Sequence, residues 1–82
     1  MSSEELTRRI HDLDVTVWVG KGGIDSVADE VTTQLDDHDL VKVKFLRSAR
    51  GDRSAEELAV ELASAAGGSV VQTRGHTAVI EG

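Results

Sequence analysis

The residues best suited to chemistry form a short loop, Gly20-Lys21-Gly22-Gly23, which fits the pattern G-x-x-G. Glycine has no Cβ, so a ligand backbone can approach such a loop closely. A β-like run, Val15 to Val19, leads into the loop, and a helix-patterned run leaves it at Ile24. Free N–H groups at the start of that helix, together with Lys21, favour an anion. The loop therefore predicts a site for a phosphodiester chain, although a plain strand-to-helix turn could have the same sequence.

Other catalytic and cofactor motifs are not found in the chain. The P-loop pattern G-x-x-x-x-G-K-[ST] is absent, and no third glycine stands where the dinucleotide pattern G-x-G-x-x-G requires it. His11, His38 and His76 are scattered, there is no cysteine, and Asp36-Asp37-His38-Asp39 is more typical of a solvated helix end than of a metal site. We therefore expect a binding module that is not an enzyme and uses no cofactor or metal.

Basic side chains are concentrated in one segment of an acidic chain. Nine Lys and Arg face 15 Asp and Glu, which gives a formal net charge of −6. Residues 40–54 hold five of those nine cations and one acid, so this segment is +4 and the remainder is −10. The acidic excess predicts a halophilic source, where high net charge maintains solubility, rather than an ordinary acidic mesophilic domain. The positive segment would attract phosphates.

Length and composition limit the architecture. The 82 residues predict a single domain, 1–82, with a small core of Val, Leu, Ile and Ala. No apolar run approaches the ~20 residues needed to cross a bilayer. The N-terminal residues are polar and acidic, unlike those of a signal peptide. We expect a cytoplasmic protein that makes no membrane contact.

Hydrophobic periodicity predicts the element order α-β-α-β-α-β-β. The first helix covers about residues 3–12, with Ser2 and Glu5 at capping-box spacing. The later elements are strand Val15–Val19, a helix from Ile24, strand Leu40–Leu46, a polar loop Arg47–Arg53, a helix from its Ser54 cap to Gly67-Gly68, and a hairpin of Ser69–Thr73 and Thr77–Ile80. β-α-β crossovers favour parallel pairing, whereas the hairpin is antiparallel. The predicted fold is α/β, a four-stranded mixed sheet with packed helices.

Alternation along the strands separates apolar from polar side chains. Lys42 and Lys44 alternate with Val43 and its apolar neighbours, which predicts a cationic strand face opposite the core. A merely solvated strand face is the alternative. Trp18 could stack on a base or pack beneath the first helix, and we expect packing.

Four segments in register resemble the CRM-domain RNA-binding family, whose single-domain bacterial members are called YhbY. They are Val19-Gly20-Lys21-Gly22-Gly23-Ile24, then His38-Asp39-Leu40-Val41-Lys42-Val43-Lys44, then the alanine-rich helix ending Gly67-Gly68, and last Val71-Gln72-Thr73-Arg74-Gly75-His76-Thr77-Ala78-Val79-Ile80. The resemblance implies a fold similar to the C-terminal domain of bacterial translation initiation factor three. It also implies RNA as the partner, with precursors of the large ribosomal subunit as the bacterial target.

The resemblance also assigns a set of RNA-binding residues. They are Gly20, Lys21, Gly22 and Gly23 in the loop, Lys42 and Lys44 in the basic strand, and Arg74 and His76 in the final hairpin. Arg47, from the basic segment, completes the candidate site. The predicted function is binding of ribosomal RNA or pre-ribosomal particles in ribosome assembly or RNA maturation. The alternative is a protein-interaction adaptor that uses its sheet or acidic helices and binds no nucleic acid.

Overall fold

A computed structural model describes residues 3–82. Its helices are α1 (Ser3–Asp12), α2 (Ala28–Asp37), α3 (Arg47–Arg50) and α4 (Ala55–Ala66), with a 3₁₀ turn at Ile24–Ser26. Its strands are β1 (Val15–Val19), β2 (Leu40–Phe45), β3 (Ser69–Arg74) and β4 (Thr77–Glu81). The predicted order of the main elements is confirmed, and the proposed capping partner Ser2 lies outside the described residues.

The four strands form one mixed sheet in the order β1-β2-β4-β3. β1 and β2 run parallel, and β4 runs antiparallel to both β2 and β3. This confirms the predicted four-stranded mixed sheet. As a result β1, β2 and β3 all finish at the end of the sheet where β4 begins. We call this the loop end, because the G-x-x-G loop follows β1 there.

The main core lies on one face of the sheet, beneath α2 and α4. Val17 and Phe45 from the strands are fully buried there, as are Val31 of α2 and Leu62 of α4. Burying side chains of this size stabilises the fold by roughly 1.5–3 kcal/mol each. Ser54 Oγ accepts a hydrogen bond from the Glu57 N–H at 3.1 Å, which confirms the predicted cap of α4.

Helix α1 packs on the opposite face of the sheet and covers only part of it. Ile10 packs against Leu40 and Val79, joined by Leu6, Leu13 and Val71. Leu40 begins β2, so this contact lies at the end of the sheet away from the G-x-x-G loop. The part of this face that α1 leaves uncovered carries Trp18, Lys44, Thr77 and Arg74. We call this uncovered part the open face.

Strand β1 departs from the predicted alternation at its first residues. Val15 lies opposite Lys42 and Val17 lies opposite Val43, so Thr16 is an extra residue at a register irregularity. Thr16 Oγ1 donates a hydrogen bond to Gln34 Oε1 of α2 at 2.5 Å. Regular alternation would place Val15 and Val17 on one face, but the bulge changes which side of the strand each residue occupies.

The segment after β2 is more ordered than its polar composition predicted. The strand ends at Phe45 rather than at Leu46, and Arg47–Arg50 forms one helical turn rather than a loop. The Ala49 N–H donates to the Leu46 carbonyl at 2.9 Å, and Ala49 packs against the main core. The polar residues around Ala49 give no periodic apolar pattern, so this contact could not be predicted from the sequence.

Candidate nucleic-acid interface

The G-x-x-G loop is a tight turn with two exposed corner residues. The Gly23 N–H donates to the Gly20 carbonyl at 2.9 Å, which leaves Lys21 and Gly22 at the corner, both exposed. Gly23 has φ 73° and ψ −174°, a conformation essentially restricted to glycine. Ser26 Oγ donates to the Gly23 carbonyl at 2.7 Å and fixes the exit from the turn. The loop therefore has a defined shape that presents Lys21 to solvent.

The α-helix begins later than the sequence predicted. Ile24–Ser26 forms a 3₁₀ turn in which the Val27 N–H donates to the Ile24 carbonyl at 3.1 Å, and α2 starts only at Ala28. The predicted helical run from Ile24 therefore begins as a 3₁₀ turn with Gly23 as its N-cap, and only its continuation is an α-helix. The reason is local, since Ser26 bonds back to Gly23 through both its side chain and its N–H.

The loop end brings three separate chain segments together. The Leu46 N–H donates to the Val19 carbonyl at 2.8 Å, which holds the end of β2 beside the start of the loop. A Cβ added at Gly20 would lie 3.8 Å from Leu46 Cδ1. The Phe45 N–H donates to the His76 carbonyl at 2.8 Å, so the hairpin tip lies at the same end. Residues far apart in sequence therefore converge there.

The open face carries one continuous row of side chains across all four strands. Trp18 lies opposite Lys44, Lys44 lies opposite Thr77, and Thr77 lies opposite Arg74. Neighbouring strands are about 4.8 Å apart, so this row spans roughly 14 Å. Trp18, Lys44 and Arg74 are all exposed. The row combines one aromatic surface with two cations.

A groove of about 410 Å³ lies between α1 and the sheet, beside this row. The half-buried Lys42 lies in it, opposite Val79 and two residues from Lys44 along β2. Its polar lining is Thr7, His11, Lys42, Gln72, Arg74 and Thr77. Lys42 and Arg74 can only donate hydrogen bonds, whereas the Thr, His and Gln side chains offer both donors and acceptors, and this combination suits a polar ligand.

The predicted site residues are distributed over this one region. The four loop residues follow β1 at the loop end, Arg47 starts α3 there, and His76 is in the hairpin turn. Lys44 and Arg74 lie on the open face, and Lys42 lies on the same face but nearer to α1. Whether these residues contact RNA stays a prediction.

Trp18 does not pack beneath α1, so that interpretation is wrong. Trp18 is 54% exposed, because α1 contacts the sheet around Leu40 and Val79 and does not extend over Trp18. Leu46, at the loop end, is 39% exposed. Strand alternation did place Trp18 opposite the main core. Only the position of α1 decided whether that side was covered.

Two arginines of the basic segment differ in their partners. Arg53 donates to Glu61 through both terminal nitrogens and to Glu57 Oε2 through Nε at 3.4 Å. Hydrogen bonding to Glu61 raises the pKa of Arg53, and hydrogen bonding from Arg53 lowers the pKa of the Glu61 carboxyl. Arg50 Nε, in contrast, is buried with no hydrogen-bond acceptor among the described residues. Arg53 is thus already neutralised by acids of α4.

Residues 3–82 contain neither a cluster of metal-ligating side chains nor a membrane-spanning helix. In that range no three His, Cys, Asp or Glu side chains lie close enough together to hold a metal ion. No helix in the same range is long and apolar enough to cross a membrane.

Residues 2–80 match the sequence profile of the CRS1 / YhbY (CRM) domain. The chain belongs to this family. A probable RNA-binding protein from Methanocaldococcus jannaschii is 39% identical over 71 residues, which are 87% of this chain and 53% of that protein. The chain thus spans about half the length of this relative.

The fold of this CRM family member is also similar to that of a solved structure. The solution structure of a hypothetical protein from Staphylococcus aureus, described as a candidate RNA-binding protein, superimposes with a TM-score of 0.74 at 30% identity. The match covers 95% of this chain and 80% of that one. These comparisons agree with the family resemblance that the four sequence segments indicated.

Proposed function

We propose that this protein binds RNA through the G-x-x-G loop and the cations around it. The observation that carries the proposal is the convergence of the loop, Arg47, Lys44 and Arg74 at one end of the sheet. Membership of the CRM family supports it, as does a relative named for RNA binding. Such a site would neutralise phosphates with its cations and meet the sugar-phosphate backbone at the loop.

The proposed target is ribosomal RNA or a precursor of the large ribosomal subunit, bound during ribosome assembly or RNA maturation. The proposal assigns binding and no catalytic residue, and it places the protein in the cytoplasm. The acidic composition supports a halophilic archaeon as its source. Crosslinking in cells, followed by sequencing of the attached RNA, tests the target directly. Enrichment of ribosomal RNA or its precursors is the expected result.

A protein-interaction adaptor is the competing function. Helices α2 and α4 carry seven acids and no Lys or Arg, a surface that suits a basic protein partner. Purification of the protein from its source cells distinguishes the two functions. Recovery of RNA-containing complexes favours the proposal, whereas a nucleic-acid-free complex with one protein favours the adaptor.

Replacement of Lys44 by Gln tests the cationic part of the proposed site. We expect about fivefold weaker RNA binding, equivalent to about 1 kcal/mol for one charged contact. Arg53→Gln is the matched control, because it also removes one positive charge but from a side chain already paired with Glu61. Fluorescence anisotropy with a labelled ribosomal RNA fragment measures both affinities. Equal losses in the two variants would show that only overall charge matters and would contradict the proposed site.

A further inference from the structure

The largest apolar side chain of the protein is left uncovered on the open face. Trp18 is 54% exposed although it lies on a strand, where the neighbouring residues Val17 and Val19 are fully buried. Helix α1 packs on the same side of the sheet but contacts it around Leu40 and Val79. Trp18 lies on the edge strand β1, and an indole left in water there forgoes the stabilisation that burial would give it.

The surroundings of Trp18 suit a polyanion rather than a protein core. Its cross-strand neighbour is Lys44, and Arg74 lies in the same row beyond Thr77. The four strands contain three cations and a single acid, Glu81. Glu81 lies opposite Leu40, at the end covered by α1. The strands thus contribute no carboxylate to the open face, on a chain whose net charge is −6.

The row and the groove together have the dimensions of a short stretch of nucleotides. The row spans roughly 14 Å, and successive nucleotides of an extended strand are separated by several ångströms. The adjoining groove of about 410 Å³ offers Gln72, Thr77 and Lys42 as hydrogen-bonding groups. An aromatic platform, flanking cations and a polar groove are the parts with which proteins hold unpaired nucleotides.

We infer that the open face binds single-stranded RNA, with one unpaired base stacked on Trp18. Lys44 contacts a phosphate beside the stacked base, Arg74 contacts a phosphate further along the strand, and a neighbouring nucleotide enters the groove beside Lys42. This inference rests on the proposed function and names its substrate class, an unpaired rather than a duplex segment. In a duplex the bases are already stacked on each other, so no base face is available to the indole.

The composition of the chain gives a direct test. Trp18 is the only Trp and there is no Tyr, so the intrinsic fluorescence of the protein reports on this one side chain. The probes are a 10-nucleotide unstructured RNA and the same sequence in a blunt duplex. We expect the single strand to quench Trp18 fluorescence and to bind more tightly than the duplex.

Three variants separate stacking from general apolar contact. We expect Trp18→Ala to bind the single strand about 10-fold more weakly and Trp18→Leu to be similarly weak, because neither has a flat aromatic face. Trp18→Phe should retain most of the affinity. Val60→Ala is the control, because Val60 is 61% exposed on α4, which packs on the other face of the sheet. It should bind as the wild type does, and a thermal midpoint for each variant confirms that it is folded.

The possible failures have different meanings. The inference would be overturned if Trp18→Ala bound the single strand as tightly as the wild type does and if bound RNA did not quench the fluorescence of the wild-type protein. The proposed function would then still stand. Duplex binding as tight as single-strand binding would also overturn it. No binding of either probe, or of the ribosomal RNA fragment, by the wild-type protein would overturn the proposed function itself.

Discussion

At the scale of single residues, the glycines of the loop are not equivalent. A Cβ at Gly22 would lie 2.9 Å from Ser26 Oγ, and that hydroxyl holds the exit from the turn. A side chain at Gly23 would be strained by its positive φ. A Cβ at Gly20, however, would make only ordinary contacts, at 3.8 Å from Leu46 and Ser48. Gly20 is therefore the position at which the loop can be altered with least effect on its shape.

Gly20→Asp and Gly20→Asn form a matched pair at this position. The two side chains have nearly the same size, but only the carboxylate would repel a phosphate backbone at the loop. We expect Gly20→Asp to bind RNA about 10-fold more weakly than Gly20→Asn, with closely similar thermal midpoints. Anisotropy titrations and thermal melts measure the two properties. Equal RNA affinities for the pair would remove the loop from the binding site.

At the scale of elements, the connection between β2 and α4 is fastened by Arg53. Arg53 directly precedes Ser54, the N-cap of α4, and its guanidinium donates hydrogen bonds to Glu57 and Glu61 of that helix. This ties the segment after β2 to the acidic helix and fixes the point at which α4 begins. Arg47 and Arg50 precede this link on α3 and make no ion pair among the described residues.

The lowered pKa of Glu61 makes this link depend on pH. Because its pKa in the folded protein lies below the ordinary 4.5, the pair adds stability at neutral pH that is lost as pH falls through the lowered pKa. We expect Glu61→Gln to lower the free energy of unfolding at pH 7 slightly, with a difference that shrinks below about pH 4.5 and then vanishes. Both side chains are partly solvated, so the effect is small.

Urea denaturation at a series of pH values measures this effect. Glu81→Gln is the control, because Glu81 is exposed on β4, away from a helix N-terminus, and has no ion pair among residues 3–82. It should show little of this pH dependence. A stability difference for Glu61→Gln that persisted at low pH would mean that packing, not charge, is responsible.

At the scale of the whole molecule, the sheet separates two charge layers. Helices α2 and α4 lie on the core face with seven acids, whereas the strands of the opposite face and the loop end carry Lys21, Lys42, Lys44, Arg47 and Arg74. Helix α1, at the other end of that opposite face, adds three acids and two arginines. A protein with net charge −6 can therefore present a cationic surface to a polyanion. The acidic layer would repel RNA and restrict it to one side.

The salt dependence of RNA binding follows from this arrangement. Each phosphate neutralised by Lys or Arg contributes about −0.7 to the slope of log affinity against log salt for a single strand. Five cations at the proposed surface set a limit of about −3.5, whereas all nine basic residues would give about −6. We expect a slope shallower than −3.5, because backbone N–H groups of the loop release no counterions. Titrations across a range of KCl measure it, and a slope near −6 would contradict the model of one cationic surface.

The sequence by itself determined the elements, the fold family and the chemistry of the candidate residues. Periods of two and of 3.6 residues depend on neighbours within one element, so β2, the Ser54 cap of α4 and the final hairpin were predictable. Two local contacts were not predictable. The packing of Ala49 on the main core accompanies the helical turn α3, and the hydrogen bond from the Ser26 N–H to Gly23 accompanies the 3₁₀ turn before α2.

Tertiary structure decided which faces are covered and which residues meet. Alternation placed Trp18 away from the main core, but its exposure depends on where α1 packs, and that is set by Leu40 and Val79 at the far end of the sheet. The row from Trp18 to Arg74 depends on the strand order β1-β2-β4-β3, which joins segments more than fifty residues apart. Local patterns carry no information on such contacts, because they arise only when the sheet has assembled around its core.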